Sequence, residues 1–310
     1  MRRGPRLRSA GENAAGPVRA QIARMTPSPG PTPTETASTA PALYGFDAFS
    51  PQEISERIER IGVAKARLPL HRTAMLGVLA GGFIGFGALY FMIVASDPTL
   101  GFAARRVLGG VVFSLGLLLV VVAGAELFTG NNLLVMAWAD GRIGTAELLR
   151  NWGVVLLANA VGAIGLALLV VLSGHIDMNA SARAYVRVAE AKTSMPFGSA
   201  FVSGILCNAL VCLAVWMATA GRSVIDKAIA IVFPVSAFVA AGFEHSVANL
   251  YLIPVAILYK WAGAVSTGAD HVTIAGLIAN LVPVVLGNIV GGGVFVAFVY
   301  HVIYRRGRTA

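Results

Sequence analysis

The sequence predicts an all-α polytopic membrane protein, built as a bundle of six spanning helices. Hydrophobic residues make up 56% of the 310-residue chain and charged residues only 13%, about half the charged share of a soluble domain. Six apolar segments each reach the length of about 20 residues that a spanning helix needs. They cover residues 73–95, 107–138, 148–172, 197–219, 228–259 and 278–303.

Two of these segments are too long for one straight span and too short for two. They are the second, residues 107–138, and the fifth, residues 228–259. Non-helical backbone at membrane depth is tolerated only where it lines a cavity or is packed within protein. We therefore predict that the second and fifth helices are broken inside the membrane.

The N-terminal residues 1–43 differ from the rest of the chain. They are rich in Pro, Ala, Thr, Ser, Gly and Arg, and they contain no apolar run. This composition predicts a disordered tail and neither a signal peptide nor a membrane anchor.

Residues 44–72 are predicted to form a cytoplasmic amphipathic helix with its lead-in. Ser50, Pro51 and Glu53 fit the N-cap, first helical position and third position of a capping box. Apolar residues follow at helical spacing: Ile54, Ile58 and Ile61. Such a helix either lies on the membrane surface or covers the mouth of a pore.

The six segments define a transmembrane pore domain, residues 73–304, which a short basic tail, residues 305–310, follows. With the N-terminus inside, the flanking segments and loops from Arg57 onward carry 12 Lys and Arg inside and 6 outside. Because cytoplasmic loops carry the excess of positive charge, both termini are predicted to be cytoplasmic.

An internal repeat links the second segment to the fifth and the third segment to the sixth. The residue pairs that match in spacing are Gly124 with Gly242, Glu126 with Glu244, Asn131 with Asn249, Asn159 with Asn288, and Gly162 with Gly291. An odd number of spans per copy inverts the second copy relative to the first. Inverted repeats with interrupted helices in corresponding places are typical of transporters.

Polar residues within the fifth segment point to the functional site. Glu244, His245 and Asn249 lie in apolar surroundings, where burial costs several kcal/mol unless the groups face a cavity or a partner. His245 could donate hydrogen bonds or take a proton as an anion passes, or it could be a buried histidine that only fixes the break. Thr129 offers a hydroxyl at the other break. We expect Glu126 and Glu244 to lie behind the path, because ionised carboxylates would repel an anion.

Bulky apolar residues flank both breaks and could form collars that exclude water, although plain packing explains them equally well. They are Phe113, Leu117, Leu127, Phe128 and Phe238. The sequence has no HExxH or GxSxG motif, and Cys207 and Cys212 lack the spacing of a metal or redox site. We predict a protein that is not an enzyme, has no catalytic residues and needs no metal or cofactor. The net charge of +9 is not concentrated on a soluble domain, so no nucleic-acid partner is expected.

Over roughly residues 44–306, the chain resembles the formate/nitrite transporter family. The motifs that carry this resemblance are Glu126-Leu-Phe-Thr-Gly-Asn131, Arg150-Asn-Trp152, Gly204-Ile-Leu-Cys-Asn208, Gly221-Arg-Ser-Val-Ile-Asp-Lys227, Gly242-Phe-Glu-His-Ser-Val-Ala-Asn249 and Gly287-Asn-Ile-Val-Gly-Gly-Gly293. The motif that contains His245 is most similar to the bacterial formate channels. The motif that begins at Glu126 is closer to the nitrite branch.

The resemblance implies an aquaporin-like six-helix fold, assembled as a homopentamer in the lipid bilayer of a bacterial inner membrane. It implies a channel or transporter for small monovalent anions, with formate first, that works either as a passive conduit or with proton linkage through the central histidine. Nitrite, hydrosulfide or another weak acid is the alternative within the family. A neutral-solute pore of the aquaporin type is the alternative outside it, although the paired Asn-Pro-Ala boxes of water channels are absent.

The resemblance also assigns roles to individual residues. It implies that His245 and Thr129 meet in the middle of the path, and that Lys192 and Asn208 draw in or steer the anion. It implies that Glu244 and Asn249 hold His245, and that the five flanking apolar residues line the constrictions. By the same resemblance, the helix near residues 51–65 gates the cytoplasmic mouth.

Overall fold

All regular structure is helical in the part of the chain that the computed structural model describes, residues 48–174, 179–263 and 269–305. The helices are α1 (Pro51–Ala66), α2 (Leu70–Ala95), α3 (Phe102–Leu119), α4 (Val135–Ala139), α5 (Thr145–Leu172), α6 (Asn179–Thr193), α7 (Phe197–Ala220), α8 (Val224–Ala241), α9 (Ser246–Trp261), α10 (Ile274–Ile289) and α11 (Val299–Tyr304). The predicted tail of residues 1–43 and nearly all of the predicted tail of residues 305–310 lie outside these ranges.

Short segments of other helical types extend three of these helices. The π-helix Val120–Gly124 continues α3, the 3₁₀-helix Gly130–Leu134 leads into α4, and the π-helix Val290–Phe298 joins α10 to α11. Within the described ranges, six helical runs are long and apolar enough to cross a membrane. They are Leu70–Ala95, Phe102–Gly124, Thr145–Leu172, Phe197–Ala220, Val224–Ala241 and Ile274–Tyr304. The prediction of a six-span all-α protein is therefore confirmed.

Both predicted breaks are present. The π-helical end of α3 stops at Gly124, which has φ +82°, and α8 stops at Gly242, which has φ +80°. Glycine adopts this left-handed conformation without the steric cost that a Cβ brings. The chain is extended at Ala125 and at His245 before a helix restarts. Pro234 and Pro254 lie inside α8 and α9 rather than at the break, so glycine and not proline ends the helix.

The helix packing repeats between the two halves of the chain. In the first half α2 packs on α5, in the second α7 packs on α10, and α3 packs on α8 across the centre. A Cβ on Gly81 would clash with the carbonyl of Asn159 in α5, and a Cβ on Gly287 would clash with the carbonyl of Phe201 in α7. Small residues thus allow the same close backbone approach in each half, as the predicted repeat requires.

Helix α1 covers one end of the bundle. Its capping box forms as predicted: the Ser50 backbone N–H donates to the Glu53 carboxylate at 2.8 Å, and this bond lowers the pKa of Glu53. Ile54 and Ile58 are buried, whereas Ile61 is 45% exposed and lines a cavity. The helix packs against the 3₁₀-helix Gly130–Leu134, α4, α7 and α11. This packing favours the second of the two predicted positions, in which the helix covers the mouth of a pore.

Candidate functional site

The two breaks meet in the middle of the bundle through Thr129 and His245. The Thr129 hydroxyl oxygen lies 3.1 Å from Nε2 of His245, although the residues are 116 positions apart. Both are buried, with exposures of 0% and 3%. The structure thus brings together the two residues that the sequence analysis placed at the centre of the path.

The hydrogen-bond partners of His245 determine which ring nitrogen carries the proton. The backbone N–H of Ala248 donates to Nδ1 of His245 at 3.0 Å, so Nδ1 must present a lone pair. In the neutral ring the hydrogen then sits on Nε2, which donates to Thr129. His245 is also the N-cap residue of α9, and a second proton on Nδ1 would break this cap. The geometry therefore favours a neutral imidazole over the protonated form considered from the sequence.

Apolar side chains surround the contact between Thr129 and His245. The ring of Phe238 stacks on His245 with centroids 5.9 Å apart, and Phe113 meets Phe238 edge to face at 5.9 Å. The five residues predicted to line the constrictions are all buried: Phe113, Leu117, Leu127, Phe128 and Phe238. All except Phe128 also line one of two cavities. The buried contact thus lies within an apolar barrier.

The two cavities lie on either side of this barrier. The α1-side vestibule has a volume of about 510 Å³, and residues that line it include Arg57, Lys65, Leu117, Leu127 and Lys227. The α6-side vestibule has a volume of about 290 Å³, and residues that line it include Arg106, Phe113, Lys192, Phe238 and His245. Basic side chains therefore line both vestibules, and the Thr129 side chain lines neither.

In the α6-side vestibule, Lys192 neutralises the buried Glu244. Its Nζ lies 2.7 Å from Oε1 of Glu244, and the two side chains are 15% and 1% exposed. Asn249 donates to Oε2 of Glu244 at 2.7 Å and Asn280 does so at 3.2 Å. The Asn280 amide also donates to the carbonyl of Lys192 at 2.9 Å. The carboxylate is thus neutralised by a cation and held by two amides, but Glu244 lines the vestibule rather than lying behind the path as predicted.

The α1-side vestibule contains the same arrangement in the other half of the chain. Nζ of Lys65 lies 3.0 Å from Oε1 of Glu126, and Asn131 donates to Oε2 of Glu126 at 2.6 Å. Asn131 also donates to Asn151 at 3.0 Å, and Asn151 donates to the carbonyl of Lys65 at 3.4 Å. Each glutamate is therefore bonded to an asparagine and paired with a lysine, and Glu126, like Glu244, lines its vestibule instead of lying behind the path as predicted.

A buried asparagine in each half of the chain connects the break to the first spanning helix of that half. Asn159 donates to the carbonyls of Gly77 and Glu126 at 2.7 and 2.8 Å and accepts from the N–H of Phe128 at 2.9 Å. Asn288 donates to the carbonyls of Gly204 and Glu244 at 2.9 and 3.1 Å and accepts from the N–H of Ser246 at 3.0 Å. The freed backbone groups at the breaks are therefore satisfied by side chains, as burial requires.

Comparison with known proteins agrees with this geometry. Residues 52–302 match the family model described as formate/nitrite transporter. The chain belongs to the formate/nitrite transporter family. The formate channel FocA of Escherichia coli strain K12 is 41% identical over 275 residues, which cover 84% of this chain and 96% of that protein. The formate channel BtFdhC of Bacillus thuringiensis is 37% identical over 258 residues, which cover 83% of this chain and 96% of that protein.

Solved structures of the family share the fold. A pentameric formate channel with formate bound superimposes with a TM-score of 0.71 at 38% identity, covering 76% of this chain and 97% of that one. An FNT family ion channel superimposes with a TM-score of 0.72 at 32% identity, covering 81% and 98%. These relatives are described as channels, so this family member is a multi-pass membrane protein of the transport class and not an enzyme.

The structure places some predicted site residues of this transporter differently from expectation. Glu244 and Asn249 bond to each other and to Asn280 rather than to the ring of His245. They hold the segment that carries the histidine, not the imidazole itself. Asn208 is fully buried and donates to the carbonyls of Thr129 and Asn288 at 3.3 and 2.6 Å. It braces one break against the other half and lines neither vestibule.

The sequence analysis gave no role to three members of the two polar networks: Lys65, Asn151 and Asn280. They lie on α1, α5 and α10, outside the motifs that contain the breaks. One signal could have found the lysine, because α1 and α6 both carry an Ala-Lys pair near the C-terminal end, at Ala64-Lys65 and Ala191-Lys192. The repeat of the family fold thus includes a short amphipathic helix before each set of three spans.

Proposed function

We propose that the protein is a channel for formate and for related small monovalent anions such as nitrite. The observation that carries this proposal is the contact between Thr129 and His245, which places two hydrogen-bond donors in an apolar barrier between two cavities lined by basic side chains. The similar proteins described as formate channels support the same assignment. The basic residues in both vestibules favour an anion over a neutral solute.

The proposed mechanism begins with attraction and ends with hydrogen bonding at the centre. Lys65 and Lys192 attract the anion into the vestibules, while their ion pairs prevent Glu126 and Glu244 from repelling it. At the barrier, Nε2–H of His245 and the Thr129 hydroxyl donate to the anion. Each charge-assisted bond contributes about 1.5–3 kcal/mol. Together they offset part of the desolvation penalty of several kcal/mol that a small ion meets in an apolar medium.

Helix ends add to this stabilisation. The 3₁₀-helix that begins at Gly130 and helix α9 that begins at Ser246 both start at the centre of the bundle. The N-terminal end of a helix carries a partial positive charge, which favours an anion nearby. The two breaks therefore present their positive ends to the same region of the path.

Proton linkage through His245 takes a modified form in this proposal. Nδ1 is occupied by the N–H of Ala248, so His245 acts as a neutral donor and not as a carrier of a second proton. The carboxylate of an acid whose pKa is near 4 can instead take a proton from hydronium in a vestibule, leaving water. We propose that formate which crosses as the neutral acid does so by this route.

We further propose that residues 73–304 form the pore domain and that residues 44–72 cover its cytoplasmic mouth. Both termini and the α1-side vestibule then face the cytoplasm of a bacterial inner membrane, as the distribution of Lys and Arg predicts. The solved relative described as a pentameric formate channel supports assembly as a homopentamer with one path per protomer. Glu59 pairs with Arg305 at 2.6 Å and so holds α1 at this mouth. In this position α1 could gate the path.

Flux through purified protein in liposomes tests the proposal. We expect wild-type vesicles to pass formate and nitrite and to exclude sulfate. His245→Phe removes the Nε2–H donor while keeping an aromatic ring, and it should lower formate flux roughly 10- to 100-fold, the equivalent of one charge-assisted bond. Thr129→Ser, which keeps the hydroxyl, is the matched control and should retain flux. Equal permeability to glycerol and formate would instead indicate a neutral-solute pore.

A further inference from the structure

Each vestibule contains a basic side chain, near the start of a spanning helix, that the mechanism above does not use; Arg57 of α1 also lines the α1-side vestibule, with its guanidinium over the ring of Phe49 at 4.0 Å. Arg106 lines the α6-side vestibule and Lys227 lines the α1-side vestibule. Across residues 48–174, 179–263 and 269–305, neither side chain forms a hydrogen bond or an ion pair. The guanidinium of Arg106 lies over the ring of Phe102, at 5.5 Å from its centroid, and next to Gly242. By contrast, Lys192 and Lys65 in the same cavities are paired with glutamates.

The two cations lie near the starts of corresponding helices of the repeat, three residues apart in register. Arg106 is the fifth residue of α3 and Lys227 is the fourth residue of α8, and these two helices pack against each other across the centre. Each cation shares its cavity with a break of the chain. Gly242 lines the α6-side vestibule with Arg106, and Gly124 lines the α1-side vestibule with Lys227.

The position of Arg106 connects it to the centre of the path. A Cβ on Gly242 would lie 3.1 and 3.2 Å from its two Nη atoms, so the guanidinium lies directly on the segment that leads to Glu244 and His245. His245 lines the same 290 Å³ cavity. An anion held by Arg106 would therefore be inside the vestibule that ends at the imidazole.

Neither cation is in a place that stabilises its own helix. Both lie near the N-terminal end of a helix, where the helix dipole disfavours positive charge. Both are also partly buried, which weakens their hydration without giving them a carboxylate. An anion in the vestibule would satisfy the cation and would also interact favourably with the helix end. These observations indicate a ligand site rather than a structural ion pair.

The two cations differ in chemistry. Arginine presents a planar fork of N–H donors that matches the two oxygens of a carboxylate, whereas lysine is a compact point charge. We propose that Arg106 captures planar two-oxygen anions, such as formate and nitrite, and disfavours anions with one acceptor atom, such as hydrosulfide, at the α6-side mouth. Lys227 attracts anions at the α1-side mouth without this discrimination. This inference rests on the proposed anion channel and identifies the groups that select among its substrates.

The test measures initial formate flux against formate concentration, with the anion presented at one face at a time. Arg106→Gln should raise the half-saturating concentration at the α6-side face roughly fivefold, in the range of a partly exposed charge pair, and leave the maximal flux nearly unchanged. The difference from wild type should shrink at high ionic strength. Lys227→Gln should have its effect at the α1-side face.

Arg105→Gln provides the matched control. Arg105 is the neighbouring arginine on α3, but its Nη1 bonds to the carbonyl of Asp97 at 3.5 Å, and it does not line the vestibule. This variant should keep the wild-type concentration dependence. Arg106→Lys retains the charge and loses the fork, so it should keep attraction for formate while lowering the preference for formate over hydrosulfide.

The outcomes separate this inference from the proposed function. Wild-type vesicles that pass no formate would overturn the proposed channel itself. A wild-type channel in which Arg106→Gln lowers thermal stability but leaves half-saturation and selectivity unchanged would show that Arg106 only packs on Gly242, and this would overturn the inference. The same conclusion would follow if Arg106→Gln affected both faces equally, or if Arg106→Lys kept full selectivity. Arg106→Lys decides the question where Arg106→Gln fails to fold.

Discussion

The ion pair between Lys192 and Glu244 provides a quantitative test of how the break is held. Lys192→Met removes the ammonium 2.7 Å from a carboxylate that is only 1% exposed. Loss of one partner of a buried pair typically costs about 3–5 kcal/mol, because the remaining charge is left uncompensated. We expect about 3 kcal/mol, at the lower end, since the Lys192 side chain retains 15% exposure and the amides of Asn249 and Asn280 still bond to Glu244.

Thermal and denaturant unfolding of the detergent-solubilised protein measures this cost. Glu244→Gln added to Lys192→Met should restore stability to within about 1 kcal/mol of wild type, because a neutral amide can still accept both asparagine bonds. Lys65→Met in the other half should cost less, since Lys65 is 27% exposed. A Lys192→Met protein as stable as wild type would refute the reasoning, and so would a double variant no more stable than the single one.

Three further predictions follow from packing, hydrogen bonding and capping. Gly81→Ala should destabilise the protein because its Cβ would meet the carbonyl of Asn159, whereas Gly82→Ala should be neutral because nothing lies within 4 Å; unfolding midpoints compare the two. Asn288→Leu removes three hydrogen bonds and should cost about 3 kcal/mol or more, with unchanged stability as the contrary result. Because the pKa of Glu53 is lowered in the folded protein, its carboxylate stabilises the start of α1 at pH values above the unfolded-state pKa near 4.3. That contribution should disappear as pH falls through the folded-state pKa, and hydrogen exchange of residues 51–54 should show the loss; protection independent of pH would contradict it.

The broken helices could be predicted because their causes are local. Segments 107–138 and 228–259 have lengths that fit neither one span nor two, and each carries a glycine followed by polar residues. The left-handed φ of Gly124 and Gly242 then ends each helix without the steric cost of a Cβ. The capping box at Ser50 is local in the same way. Local sequence therefore determined where the chain breaks.

The partners of the buried glutamates could not be predicted because they depend on tertiary contacts. Lys65 lies 61 residues before Glu126, and Asn280 lies 36 residues after Glu244. Nothing in the spacing of these residues indicates that they meet. Asn208 shows a related limit: the family resemblance placed it on the path, whereas its amide bonds to backbone carbonyls behind the path. Residue type identified the polar groups, and only the packing of helices assigned their partners.

The exposure of Ile61 illustrates how function alters a simple pattern. The helical spacing of Ile54, Ile58 and Ile61 predicts three buried residues, but Ile61 lines the α1-side vestibule. An amphipathic pattern distinguishes apolar from polar surroundings and does not distinguish a packed core from the wall of a cavity. The same limit applies to the collar residues, whose burial agrees with both packing and constriction.

The central claim is that a neutral imidazole, with its proton on Nε2, donates at the contact between the two breaks. Nitrogen-15 NMR of histidine-labelled protein in bilayers measures this directly, with the His245 signal assigned by its loss in His245→Gln. The account predicts an unprotonated Nδ1 and a protonated Nε2 across pH 5 to 8. A proton on Nδ1, or a doubly protonated ring within that range, would contradict it.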